Sequence, residues 1–153
     1  MAYELLTKLD SSSISSLNTI KDAITFTDQN IRLGENRTDN MSVYRYSKWT
    51  TWNRTQKSDF KDCFESSDIE KSVIGWFLNF PANTGFLDNM TYWNDKDGCG
   101  TVISYALEAQ SIIIDGTTVN LEAGQGIKFK LNQSHKIETS SSARNWACIM
   151  MMV

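Results

Sequence analysis

Residues 104–138 read SYALEAQSIIIDGTTVNLEAGQGIKFKLNQSHKIE, and their rhythm decides the fold class. Short runs rich in β-branched or alternating residues, SIII, TVNL and IKFK, are separated at regular intervals by Gly, Asn, Asp and Ser. That spacing is what an antiparallel sandwich or barrel produces. Asp115-Gly116 falls between two of the runs and tolerates the positive φ that a two-residue hairpin turn requires. The pattern continues outward, to TVISYAL from Thr101 and to WACIMMMV from Trp146.

Taken as one block, this stretch resembles the core of the cupin superfamily, whose small barrel is a double-stranded β-helix, one kind of jelly roll. The family's second motif runs from a glycine to a histidine ligand eleven positions later, and Gly124 and His135 stand at that spacing. Lys130 takes the usual proline position. Asn132 takes that of the second glycine, where Asn is the commonest substitute in a left-handed turn. The resemblance covers roughly Gly85 to Met150, and residues 1–80 contribute nothing to it. The same strand order occurs in Fe(II)- and 2-oxoglutarate-dependent oxygenases. There a basic residue beyond the last histidine ligand often holds the co-substrate carboxylate, and Arg144 stands nine positions past His135.

The first motif departs from the family. Counted back from Tyr105, Asp95 and Asp97 stand where a cupin places its His-x-His pair, and no histidine is available for the oxygenase His-x-Asp pair. A metal set implied by the resemblance is Asp95, Asp97 and His135, holding Fe(II) or another divalent ion, with Cys99 as a soft fourth ligand. The plainer reading makes Trp93 to Gly100 a solvated turn, with Asp and Gly serving backbone geometry. His135 is then a rim or core histidine bonded to the backbone. Arg144 is either the partner of an anion or co-substrate, or an arginine paired with a carboxylate at the barrel surface. A Cys99–His135 nucleophile lacks a third, orienting group in the sequence.

Length and composition set the outer bounds. The chain has 153 residues, with 41% hydrophobic and 22% charged, values of a folded globular domain rather than a disordered chain. A net charge of −3 argues against a broad nucleic-acid footprint. No apolar run approaches bilayer length, and MAYELLTKLDSSS lacks a basic region followed by an apolar stretch. Cys63, Cys99 and Cys148 are odd in number and unrelated in spacing, so neither a disulfide framework nor a CxxC metal site follows. The expectation is an intracellular or virion-associated protein.

The first half is less readable. Asp10 or Ser11 can cap a helix carrying Ile14, Leu17, Ile20 and Ile24 on one face. Residues 27–42 read as loop or edge strand, and VYRYSKWTTWNRT favours strand. Ser67 to Glu70 has capping-box spacing and can open a short helix. IGWFLNF fits either a helix or a buried strand. Between 44 and 61, Tyr44, Tyr46, Trp49 and Trp52 interleave with Arg45, Lys48, Arg54, Lys57 and Lys61. Aromatic faces among cations suit single-stranded nucleic acid or a sugar chain. The alternative is an amphipathic strand with buried rings. The tail CIMMMV is apolar. As a strand it cannot turn Met150, Met151 and Met152 to one face, so a second surface, in this chain or in another subunit, must cover it.

The sequence therefore predicts a mainly β protein: a cupin-like double-stranded β-helix (jelly roll) with one or two short N-terminal helices. One domain spans 1–153, with 1–80 an extension of helix and strands packing on the barrel and 81–153 the core. The leading functional expectation is a non-catalytic protein working by binding or assembly, such as a phage virion or accessory protein. It would be a homo-oligomer or bound to other subunits, without cofactor. The second is a metal-dependent cupin or Fe(II)/2-oxoglutarate oxygenase using Asp95, Asp97, His135 and Arg144. The third is carbohydrate binding on exposed, coplanar Trp49 and Trp52.

Overall fold

The β-rich rhythm of the second half is realised strand for strand in a computed structural model. It describes residues 3–31, 42–83, 100–130, 133, 135–138 and 140–151. In chain order the elements are β1 (Tyr3–Leu6), α1 (Ser11–Ala23), β2 (Thr27–Ile31), β3 (Ser42–Lys48), α2 (Arg54–Lys61), α3 (Ser66–Lys71) and β4 (Ser72–Phe80). There follow β5 (Thr101–Ala106), β6 (Gln110–Ile114), β7 (Thr117–Leu121), β8 (Gly126–Lys130), β9 (His135–Lys136) and β10 (Arg144–Met151). Among the described residues the strands form a larger sheet, ordered β1-β8-β5-β10-β4-β3-β2, and a smaller one, β7-β6-β9. Every pairing is antiparallel. This is the jelly-roll arrangement.

Local chemistry explains the turns. Asp115 (φ 46°) and Gly116 (φ 82°) are both left-handed, which matches the twist of the β6–β7 hairpin. Gly124 has φ 85°, and a Cβ there would stand 2.6 Å from Ile14 Cδ1. Its amide donates to the Ala106 carbonyl at 2.7 Å, and its own carbonyl accepts from Leu9 N at 2.9 Å. The glycine of the second motif thus ties the β7–β8 turn to the segment entering α1.

The larger sheet is covered on both faces, and so β5 is buried at all its positions instead of alternating. One face meets the smaller sheet: Val102, Phe129, Trp146 and Cys148 pack with Ile112, Ile114, Val119 and Ile137. The other meets the helices: Ile103, Phe77, Ala147 and Ile149 pack with Leu17, Ile20, Phe60 and Phe64. The consecutive methionines divide as a strand demands. Met150 turns to the first layer and Met151 to the second, so the same chain covers both faces; Met152 lies outside the described residues.

Three features differ from the sequence expectation. Residues 1–80 are not laid on a separate barrel; they supply β1 to β4, with β4 paired directly to β10. β3 ends at Lys48, and the chain then enters α2 through a capping box. Asn53 Oδ1 accepts from Gln56 N at 2.8 Å, and Gln56 Oε1 from Asn53 N at 3.1 Å. α3 starts from Glu65 with no side-chain cap bond, so the spacing of Ser67 to Glu70 is not its cap. α1 follows its predicted face, with Asp10 Oδ1 accepting from Ser13 N at 2.7 Å. Among the described residues no helix is long and apolar enough to cross a membrane.

Candidate functional site

Between the two sheets lies a half-open cavity of about 450 Å³. Its walls follow from strand alternation. Tyr44, Tyr46 and Lys48 of β3, Trp76, Leu78 and Phe80 of β4, and Trp146 and Cys148 of β10 all face it. The smaller sheet contributes Ile112 and His135, with Ile137 just beyond β9. Lys48 is exposed at the open side, while Ser104, Cys148 and Trp146 are buried within. Burial and the neighbouring Tyr46 push the Tyr44 phenol up, so it stays protonated at neutral pH.

His135 is 5% exposed and its ring lies 5.2 Å from that of Phe129. Its Nδ1 is 2.8 Å from the Gln133 carbonyl. A carbonyl only accepts, so Nδ1 carries the proton and Nε2 the lone pair. Desolvation holds the imidazole below its usual pKa, against the opposing effects of the Gln133 carbonyl and Asp115. A neutral ring oriented through its other nitrogen is the form in which histidine ligates metals.

Arg144 begins β10 on the same face as Trp146 and Cys148. It is buried, and burial pulls its pKa down against the opposing effect of the Glu108 carboxylate. Its Nε donates to the Ser142 carbonyl at 3.1 Å and its Nη1 to the Glu138 carbonyl at 2.6 Å. The guanidinium stands 5.5 Å over the Phe80 ring. His135 lines the cavity, and Arg144 stacks on Phe80, a lining residue, without lining the cavity itself. His135 lies at the Phe129–Val102–Met150 level and Arg144 at the Phe80 end.

Asp95, Asp97, Cys99, Trp93 and Asn132 lie outside the described residues. Among the described residues no group of three or more His, Cys, Asp or Glu could hold a metal ion. Trp49 and Trp52 do not form the exposed platform that sugar stacking requires. They are 8% and 7% exposed, packed on Phe60 beneath α2, with Trp52 Nε1 donating to Ser47 Oγ at 2.9 Å. Burial in the helix-side layer is the physical reason that expectation fails.

Sequence reading missed the contribution of β3 to the cavity. The signal was present: Tyr44, Tyr46 and Lys48 recur every second residue, the period of one strand face. Two further groups emerge only in three dimensions. Ser104 Oγ donates to Cys148 Sγ at 3.2 Å, and burial pushes the Cys148 thiol up to about 12. Trp146 Nε1 is buried without a hydrogen-bond partner among the described residues.

No protein-family model matches the sequence, and no curated protein does. Solved structures do match. A prolyl hydroxylase from Trichoplax adhaerens, in complex with a hypoxia inducible factor peptide fragment, superposes with a TM-score of 0.71 at 10% identity. The match covers 98% of this chain and 83% of that one. The fold is the cupin-like jelly roll of these oxygenases. HygX from Streptomyces hygroscopicus, solved with nickel and 2-oxoglutarate bound, gives 0.66 at 8% identity, over 97% of this chain and 82% of that one. A predicted oxalate decarboxylase from Thermotoga maritima gives 0.50 at 13% identity, over 84% and 94%. The likeness to the oxygenases thus extends through residues 1–80, where the sequence showed none.

These neighbours correct the leading functional expectation. The matching structures include two prolyl hydroxylases and a 2OG-Fe(II) oxygenase family protein from Burkholderia pseudomallei, which speaks against the expectation of a non-catalytic assembly protein. The expected absence of a cofactor loses its support as well, since HygX holds nickel and 2-oxoglutarate.

Proposed function

We propose that this chain is a metal-dependent oxygenase of the double-stranded β-helix type. His135, with Asp95 and Asp97, holds Fe(II), and Arg144 takes the carboxylate of 2-oxoglutarate. The observation that carries this reading is the state of His135: neutral, buried in the cavity wall, and fixed by the Gln133 carbonyl with its lone pair on Nε2. When bound, Fe(II) with a 2-oxo acid supplies the activation of O₂ that the chain's own side chains lack.

The protein's part is positioning. The Gln133 carbonyl sets the tautomer of His135, a role usual for the group behind a ligating imidazole. The Ser142 and Glu138 carbonyls and the Phe80 ring hold the Arg144 fork in one orientation, which suits a planar carboxylate better than a lysine would. Trp76, Leu78, Phe129 and Trp146 give the cavity apolar walls that limit water.

The test is consumption of 2-oxoglutarate with and without added Fe(II). Wild type should consume it only with the metal, and Arg144→Met should raise KM for 2-oxoglutarate by about tenfold or more. Absence of Fe(II)-dependent consumption by the folded wild type contradicts the proposal.

A further inference from the structure

A buried indole N–H with no acceptor is uncommon in native structures and calls for a partner. Trp146 is 2% exposed, its Nε1 has none among the described residues, and its side chain lines the cavity. Strand register arranges the surrounding groups in two neighbouring rows on that face. One row runs Lys48, Trp76, Cys148, Ser104 across β3, β4, β10 and β5; the next runs Tyr46, Leu78, Trp146, Ala106. Lys48, exposed at the open side, is one row away from the orphaned indole, with Trp76 and Leu78 between. Among the described residues the lining carries Lys48 as its cation and no carboxylate. Donors and aromatic surface therefore face the cavity, and a complementary ligand brings acceptors, negative charge and an apolar body. A volume of about 450 Å³ lies within the range of small-molecule sites.

We propose that this cavity binds an organic anion with an aromatic or apolar body and a neutral acceptor oxygen. The body rests on Trp76 and Leu78, the acceptor receives the Trp146 indole N–H, and the acidic group meets Lys48 at the opening. This binding needs no metal. It is separate from the carboxylate role given to Arg144, and it defines what the cavity takes besides a 2-oxo acid.

The probes are 4-oxo-4-phenylbutyrate, which carries ring, ketone and carboxylate; 4-phenylbutyrate, which lacks the ketone; and butyrophenone, which lacks the carboxylate. Each is titrated into the ¹⁵N-labelled full chain with EDTA present, following the indole N–H resonances, with the Trp146 signal assigned by its loss in Trp146→Phe. The keto acid should bind about tenfold more tightly than 4-phenylbutyrate and move the Trp146 signal downfield. That advantage should vanish in Trp146→Phe. Lys48→Met should weaken both acids about threefold and leave butyrophenone unchanged. Equal affinity for the two acids, a response at another indole alone, or no binding of any probe overturns the proposal. If Trp146→Phe does not fold, the wild-type affinity ratio and the identity of the responding indole, assigned by triple-resonance spectra, decide the matter. Because EDTA removes metal, failure here leaves the Fe(II) reading standing, and failure of the Fe(II) reading leaves this one.

Discussion

The indole of Trp49 lies directly on Gly75: a Cβ built on that glycine would stand 2.5 Å from Trp49 Cε3 and 2.8 Å from Phe60 Cε1. The contact locks the turn after β3 onto β4 and explains why Trp49 is core. Gly75→Ala should therefore overpack the layer and cost about 1–3 kcal/mol, read as a lowered urea midpoint with unchanged slope. A variant as stable as wild type would show that Trp49 moves aside freely.

The capping box of α2 predicts a smaller loss. Asn53→Ala removes the acceptor for Gln56 N and should destabilise the protein by about 1 kcal/mol, while Asn53→Asp should retain most of the stability. Equal losses in the two variants would mean the cap bond contributes little.

His135 gives the stability a defined pH dependence. Its folded pKa is depressed by burial below the usual 6.5, so the unfolded chain binds the proton more readily. The contribution is fully present above about 6.5 and is lost as pH falls toward the folded value. Metal-free wild type should lose unfolding free energy on acidification through this window, and His135→Gln should flatten that slope. Parallel curves for the two proteins would exclude His135 as the source.

Cys148 should be chemically silent. It is 1% exposed with its thiol pushed up to about 12, and thiolate is the reactive form. Peptide mapping after iodoacetamide at pH 8 should find it unmodified until denaturant is added. Cys63, pushed up to about 11, should react slowly. Rapid native labelling of Cys148 would show that the sheet opens.

How much of this was legible in sequence depends on range. Gly124, Asp115-Gly116 and the β-branched runs act locally, so the second half and the position of His135 could be read directly. The membership of residues 1–80 rests on pairs such as Arg144↔Phe80 and Tyr3↔Phe129, which join segments far apart in the chain and leave no local period. For the same reason the aromatic-basic stripe from Tyr44 to Lys61 fits both a ligand-stacking face and a strand with buried rings, and only the packing of Trp49 and Trp52 on Phe60 separates the two. α2 leaves no clear local signal because the aromatic residues from Tyr44 to Trp52, which favour strand, run up to its cap at Asn53 although β3 ends at Lys48.

The central claim is that His135 ligates a metal in the cavity. The most direct measurement is metal content by plasma mass spectrometry of untagged protein after incubation with Fe(II), Mn(II) and Zn(II), repeated on His135→Ala. Near-stoichiometric metal in wild type that is lost in folded His135→Ala is the predicted result. Wild type that retains no metal, or a folded variant that retains as much as wild type, would contradict it.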